Sequence, residues 1–339
     1  MRRLFTLLFS PLIFYCSAAI AQQRPQYTQY VFNNFLLNPA VAGIENYIDT
    51  KFAYRTQWTG LEGAPVTTYL SAHAPLGREF VRGDAAGMGS DGANPMNRSY
   101  TLNYRAAPPH HGIGFTAVMD KAGPLSQSNL NAVYAYHLGV TDRLNVSVGV
   151  SAGVSVISLN TGQLILENPL DPAISNGNNN QLKPDVGMGI WAYAADYFVG
   201  VSVQQLLPQR LRFADNSAYN QSKTVPHYFF TAGYKLFLGD DVSLLPSVLV
   251  KVVKPVPTTF DINAKLAFQD RFWIGGSYRN QDAFAAMAGF NISYLLNVGY
   301  SYDFTTSALN RVSNGTHEIV VGLTLNNRYR DACPQKRMW

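Results

Sequence analysis

Between Thr259 and Leu325 an apolar side chain recurs at every second position, in short runs separated by turns of a few residues. A period of two puts alternate side chains on opposite faces and makes strands, not helices. Phe260, Ile262, Ala264, Leu266 and Phe268 alternate with Asp261, Asn263, Lys265 and Ala267, and Ile319, Val321, Leu323 and Leu325 alternate with Glu318, Val320, Gly322 and Thr324. A sandwich turns such an apolar face inward, whereas a transmembrane barrel turns it outward into lipid. What the chain does depends on which solvent meets that face.

The first residues bear on the compartment. Arg2 and Arg3 precede an apolar stretch from Leu4 to Tyr15, and Ala19-Ile20-Ala21 forms a small-x-small site before Gln22, so residues 1–21 read as a secretory signal peptide. The apolar part falls short of the roughly 20 residues of a helical span, and Phe14-Tyr15 before Cys16 lacks the small residues of a lipoprotein cleavage site. Without the peptide the chain keeps one cysteine, Cys333, and forms no intramolecular disulfide. Its net charge falls from +5 to +3 with the loss of two arginines, too little for a nucleic-acid binder. Charged residues are 14% and aromatic residues 13%, where soluble domains carry about 25% charged. Few charges with many rings suit a wall in lipid. No apolar run after residue 21 is long enough for a helical span, so any crossing is made by strands.

Turn signals and parity predict an all-β chain, a transmembrane antiparallel barrel of about 14 strands. The first seven lie near 47–58, 66–75, 112–120, 127–138, 143–157, 184–194 and 197–205. The rest lie near 227–238, 242–252, 258–268, 271–279, 283–291, 294–304 and 317–326. Most have about nine to twelve residues, enough for an inclined strand to cross a bilayer, whereas strands of globular sheets have about five or six. On the clearest one, Val146, Val148, Val150, Ala152, Val154 and Val156 share a face, and Ser147, Gly149, Ser151, Gly153 and Ser155 share the other. Small residues inside leave room for an occupant of the lumen. Tyr294, Tyr300, Tyr302, Trp191 and Trp273 lie near strand ends, where rings form interfacial girdles.

Long connections belong outside and short turns in the periplasm. With the first strand starting in the periplasm, the stretches 59–65, 120–126, 158–183, 204–226, 253–257, 280–282 and 305–316 are external. The stretches 139–142, 196, 239–241, 269–270 and 292–293 are then periplasmic. One connection breaks the rule. The insertion 76–111, with a candidate extra strand at 99–105, is long yet falls on the periplasmic side.

Motifs recur in order along the chain. They are Gln26-Tyr27-Thr28-Gln29-Tyr30, Asn38-Pro39-Ala40 with Ala42-Gly43, Tyr54-Arg55-x-Gln57-Trp58-x-Gly60, Gly63-Ala64-Pro65 and Ser71-Ala72-His73-x-Pro75-Leu76. Later come Asp120-Lys121-x-Gly123-Pro124, His227 to Tyr234, Gly299-Tyr300-Ser301-Tyr302-Asp303 and the closing Cys333-Pro334 and Trp339. In combination these closely resemble the PorP/SprF family over nearly all of residues 26–326. The resemblance implies a non-enzymatic barrel in the bacterial outer membrane, part of the type IX secretion and gliding apparatus. It implies contact with outer-membrane lipid and with machinery proteins on the periplasmic side. For some members it also implies work with a secreted adhesin, aiding its export or holding its C-terminal sorting domain. The motif residues Asn38, Pro39, Gly43, Arg55, Gln57, Trp58, His73 and Pro75 are the candidates for family-specific contacts. The insertion 76–111 departs from the family pattern, where this turn is tight.

The residues also have readable local roles. Pro39 lacks a donor and biases Asn38 to an extended form, so the chain breaks before the first strand. Residues 22–46 are therefore expected outside the barrel wall, as a luminal plug or a periplasmic contact. The barrel proper spans 47–326, with a tail at 327–339. Arg55 has the parity opposite to Phe52 and Tyr54 and should face the lumen, with Asp49 or Glu62 as partner and little net energy from pairing in a partly wet lumen.

Catalytic and cofactor chemistry finds little support. The histidines His73, His110, His111, His137, His227 and His317 show no HExxH spacing, and the adjacent side chains of His110 and His111 diverge. The nearest nucleophile and base pair is His137 with Ser151, without a GxSxG motif. No phosphate-cradling GxGxxG occurs around Gly112-Ile113-Gly114. Neither a cofactor nor a metal is expected. The competing readings are a porin-like channel for small or hydrophobic solutes and a soluble sandwich adhesin.

Overall fold

A computed structural model describes residues 25–77, 104–163, 180–210, 223–239, 241–269, 271–293 and 295–326. The expected signal peptide, the core of the insertion at 78–103 and the tail at 327–339 lie outside the described residues. So does Tyr294.

The wall is built from β1 (Ile48–Thr56), β2 (Val66–Leu76), β3 (His110–Ala122), β4 (Leu125–Thr141), β5 (Leu144–Leu159), β6 (Asn180–Tyr193), β7 (Tyr197–Gln204) and β8 (His227–Tyr234). It continues with β9 (Leu236–Phe237), β10 (Val242–Val252), β11 (Thr259–Phe268), β12 (Phe272–Arg279), β13 (Ala283–Asn291), β14 (Leu296–Thr305) and β15 (Thr316–Leu325). The two-residue β9 continues β8 past Lys235, since both pair with β10. Fourteen wall positions result. Each strand pairs antiparallel with its neighbour in sequence, and β1 closes the barrel on β15 from Ile48↔Leu325 to Thr56↔His317.

The pattern of exposure decides the solvent. Phe52, Tyr54, Ile262, Ile274, Phe284 and Ile319 are exposed, while Asp49, Lys51, Arg55, Asn263, Ser277 and Glu318 on the same strands are buried. Apolar outside and polar inside is the arrangement of a barrel in lipid and the inverse of a water-soluble sandwich. The adhesin reading is corrected accordingly. The wall is also uneven. Strands β3 to β6 have 13, 17, 16 and 14 residues, longer than the sequence predicts, and β3 and β4 are joined by Gly123-Pro124 alone. By contrast β7, β8 and β12 have 8 each. Within the insertion, Tyr104 and Arg105 are not in a strand. Their stretch folds under the β4–β5 turn, where Asn145 Oδ1 accepts from the Ala107 N–H at 3.0 Å.

Residues 25–47 form no strand. They make three short 3-10 turns, Gln29–Phe32, Asn34–Leu36 and Pro39–Val41. Asn38 is extended (φ −135°, ψ 115°) before Pro39, and its side chain accepts from the Ala40 N–H at 2.9 Å, which starts the third turn. The apolar side chains of this stretch supply the core. Tyr30, Phe35, Leu37 and Val41 pack with Trp191, Tyr193 and Phe198, and Phe32 and Leu36 pack with Tyr69, Trp273 and Met287. Trp191 and Trp273 therefore face inward, not to an interfacial girdle as expected. Tyr300 and Tyr302 do lie on the outer face, near Phe304 and His317.

Candidate functional site

The densest group of polar side chains lies on the inward faces, where the wall meets residues 28–43. It divides between the mouth at which β1 ends (the Thr56 mouth) and the mouth at which β1 begins (the Ile48 mouth).

At the Thr56 mouth the closing seam sets Arg55 opposite Glu318. Arg55 Nη1 lies 2.9 Å from Glu318 Oε2 and Nη2 lies 2.8 Å from Asp303 Oδ2, all three groups being buried. The partners expected from the sequence, Asp49 and Glu62, are not the ones used. Nor is the pair solvated: Arg55 is 1% exposed, so losing either charge leaves the other without water. Thr28 completes the cluster. Its backbone N–H donates to Glu318 Oε2 at 2.8 Å, and its hydroxyl accepts from Arg55 Nη1 at 2.6 Å and donates to Asp303 Oδ2 at 2.7 Å. Arg279 extends the network to Asp261 at 3.3 Å and Asp282 at 3.1 Å. Gln29 Nε2 donates to the Glu318 carbonyl at 3.1 Å. Asn263 Nδ2 donates to the Tyr30 hydroxyl.

At the Ile48 mouth the segment's own bonds are uncharged and mostly to backbone, although Asp49 pairs with Lys51 on the wall there and lies 3.6 Å from His73 Nε2. Asn38 Nδ2 donates to the carbonyls of Ile190 and Val201 at 3.0 and 3.2 Å, bridging β6 and β7. Ser202 Oγ donates to the Leu37 carbonyl at 2.6 Å and Ser147 Oγ to the Ala40 carbonyl at 2.7 Å. Three histidines from β2, β3 and β4 converge on one bend of the chain. His73 Nδ1 accepts from the Gly43 N–H at 3.2 Å, His110 Nε2 meets the Gly43 carbonyl at 3.2 Å, and His137 Nε2 meets the Ala42 carbonyl at 2.8 Å. The rings of His110 and His137 stack at 4.4 Å. Gly43 has φ +78°, and a Cβ there would lie 2.5 Å from Gly112 Cα and 3.2 Å from Pro75 Cα. On the wall, a Cβ at Gly149 would lie 2.4 Å from Ala40 N, one at Gly189 2.0 Å from Asn38 Oδ1, and one at Gly112 1.8 Å from the Ala42 carbonyl.

The candidates are thus parted. Asn38, Pro39, Gly43, His73 and Pro75 gather toward the Ile48 mouth. Arg55, Gln57 and Trp58 lie at the other, where Gln57 N–H donates to the Pro65 carbonyl at 2.9 Å and Trp58, at φ 52°, donates its N–H to Thr316 Oγ1 at 3.1 Å. Thr28, Glu318, Asp303 and Arg279 were not among the candidates; the parity of Glu318 against Ile319 and Val321 was the available signal. His110 faces inward while His111 turns outward to the Tyr134 hydroxyl at 2.7 Å. His137 stands across from Ser147, not Ser151, so the nucleophile and base pair is not formed. Among the described residues no group of three or more His, Cys, Asp or Glu side chains is arranged to hold a metal.

Beside the segment a cavity of about 30 Å³ is lined on the wall side by Thr116, Asn129, Asn131, Ser151, Asp185 and Gln204. It has room for a water molecule or two.

Comparison with known proteins follows the same lines. Among solved structures the chain is similar to the outer-membrane protein Omp33 of Acinetobacter baumannii, at 10% identity and TM-score 0.46, covering 84% of this chain and 100% of that one. It is also similar to the toluene transporter TbuX of Ralstonia pickettii, at 11% identity and TM-score 0.48, covering 86% and 92%. Neither likeness bears on function. No curated protein matches. The family described as "Type IX secretion system membrane protein PorP/SprF" matches residues 19–323, nearly the whole chain. The chain belongs to the PorP/SprF family and is a non-enzymatic outer-membrane component of the type IX secretion system.

Proposed function

We propose that this protein is a closed barrel that serves type IX secretion as an anchoring component, with residues 22–46 as a resident plug. The observation that carries this reading is the occupation of the interior: hydrogen bonds tie residues 28–43 to strands on opposite sides of the barrel, Glu318 and Arg55 on one and Ser147 and Ser202 on the other. The wall glycines at 149, 189 and 112 support it, since any side chain there would strike the segment. On this reading residues 1–21 are a cleaved signal peptide and the Ile48 mouth, with its short turns, faces the periplasm. Machinery proteins then dock at that mouth, with the 76–111 insertion as one contact, and a secreted adhesin is held by way of its C-terminal sorting domain.

Affinity capture of a tagged copy from gently solubilised outer membranes tests the role. Recovery of type IX machinery or of a large adhesin is expected. Capture of a barrel without partners, together with rapid solute entry in liposome swelling, would instead favour a porin-like channel for small or hydrophobic solutes.

A further inference from the structure

Resting on the plug reading, we propose that His110 is a proton-operated latch on the N-terminal segment. A second proton on its ring adds a hydrogen bond to the Gly43 carbonyl and tightens the bend at Ala42-Gly43, and loss of that proton releases it.

The surroundings of the two ring nitrogens carry this. His110 Nδ1 lies 2.8 Å from the Pro108 carbonyl oxygen, and Nε2 lies 3.2 Å from the Gly43 carbonyl oxygen. A neutral imidazole has one N–H and one lone pair, whereas the imidazolium donates from both nitrogens. Two carbonyls facing one ring are therefore both satisfied only by the charged form. A bare nitrogen 2.8 Å from a carbonyl oxygen would set lone pair against lone pair, so Nδ1 keeps its proton in either state. The proton that comes and goes is the one on Nε2, and its acceptor is the segment.

The two histidines that share the bend are placed differently. His137 Nε2 faces the Ala42 carbonyl at 2.8 Å, but its Nδ1 faces the Tyr193 hydroxyl at 2.9 Å, which can donate, so a neutral ring satisfies both neighbours. His73 accepts the Gly43 N–H at Nδ1 and so carries its one proton on Nε2, toward Asp49. Of the three, only His110 gains a bond to the segment by taking up a proton.

The site accommodates the charge. Two charge-assisted bonds stand in for the water that a buried imidazolium gives up, and the ring stacks at 4.4 Å on His137, which is neutral. The other titratable or charged groups around it are Tyr193 on β6, His73 on β2, and Asp49 and Lys51 on β1, the last two paired with each other. Glu45 is buried two residues beyond Gly43, Arg105 is exposed on the approach to β3, and His111 turns outward. The bend lies toward the Ile48 mouth, so the latch follows the pH of the compartment that this mouth faces. Its bond is present at low pH and lost as pH rises.

Hydrogen exchange of the full-length protein in detergent, read by mass spectrometry on peptides covering 38–47, tests this between about pH 8 and pH 5, where histidine titrates. With the intrinsic pH dependence of exchange divided out, protection of the bend is expected to rise about tenfold toward the acid end. In His110→Gln, whose amide does not titrate, it is expected to stay flat. Protection that is independent of pH in the parent, or that rises equally in His110→Gln, would overturn the proposal. A second readout needs no substitution. The ring ¹⁵N shifts of His110 should show Nδ1 protonated throughout and Nε2 gaining its proton as pH falls, and an Nε2 that stays bare at the acid end overturns the latch as well. The plug reading is tested apart from it by a disulfide between Asn38→Cys and Gly189→Cys in a Cys333→Ser background. If that bond forms while protection stays flat, the segment is inside and only the latch falls. If it fails to form under oxidation, the segment is not inside, and the latch falls with the plug.

Discussion

The two ends of the N-terminal segment are held by opposite kinds of chemistry. At Thr28 a few charged side chains do most of the holding: one hydroxyl and one N–H sit among Arg55, Glu318, Asp303 and Arg279. At Asn38 to Gly43 the segment carries no charge, and the hold is spread over serines, an amide, imidazoles and glycines that admit the backbone closely, with Asp49 and Lys51 one step removed behind His73. A buried ion cluster fails sharply when one member is lost, because the remaining charges have no water. A distributed set of neutral bonds fails gradually, each worth about 0.5–1.5 kcal/mol. The Thr28 end should therefore break at single residues, and the Gly43 end only where space is lost.

The largest effect is expected from Arg55→Ala, which strands Glu318 and leaves Asp303 only Arg279, at 3.7 Å. A loss of about 3–5 kcal/mol should appear as a lowered melting temperature of the barrel in detergent. Next comes Gly189→Val, which puts a branched side chain where Asn38 Oδ1 sits. Overpacking of this kind costs about 1–3 kcal/mol, and here the segment can yield instead, so single-channel conductance in planar bilayers should rise well above that of the parent. Thr28→Val keeps the backbone bond to Glu318 but removes the hydroxyl from between Arg55 and Asp303. A cost of about 1–3 kcal/mol is expected in the same melting assay. Ser147→Ala should be the mildest, near 1 kcal/mol, with conductance unchanged. If Ser147→Ala proves as damaging as Arg55→Ala, the contrast between the two ends is wrong.

The wall was readable from the chain because it obeys one local rule. Each of the fourteen predicted strands has its counterpart, since alternation such as Phe260 to Phe268 needs no knowledge of neighbours. Where the rule failed, both faces were apolar. Trp191 and Tyr193 point inward while Ile190 points out, and only the core supplied by residues 30–41 explains an inward tryptophan. The facing ends of β3 and β4 were not legible because Asp120 to Ser126 looks polar enough for a loop, yet all but Gly123-Pro124 continues the ladder. The interior site was less legible. Arg55 and Glu318 lie 263 residues apart and meet only through closure of β1 on β15. The histidines looked scattered along the chain, but His110 pairs with His137 on the next strand and His73 reaches the same bend at Gly43 from β2. The inward glycine and serine face of β5 did announce an occupant.

The uneven wall carries a consequence for the surrounding lipid. On β4 exposed apolar side chains run from Leu130 to Val140, whereas on β12 they run only from Phe272 to Ile274, with the half-buried Tyr278 beyond. A bilayer of uniform hydrocarbon thickness cannot match both. Either the barrel leans so that the long side lies more obliquely, or the acyl chains shorten locally beside β12, each at a cost of a fraction of a kcal/mol per Å of mismatch. Both responses favour a membrane thinner than average, as the bacterial outer membrane is, and both give the molecule a preferred heading among its neighbours in the plane of that membrane.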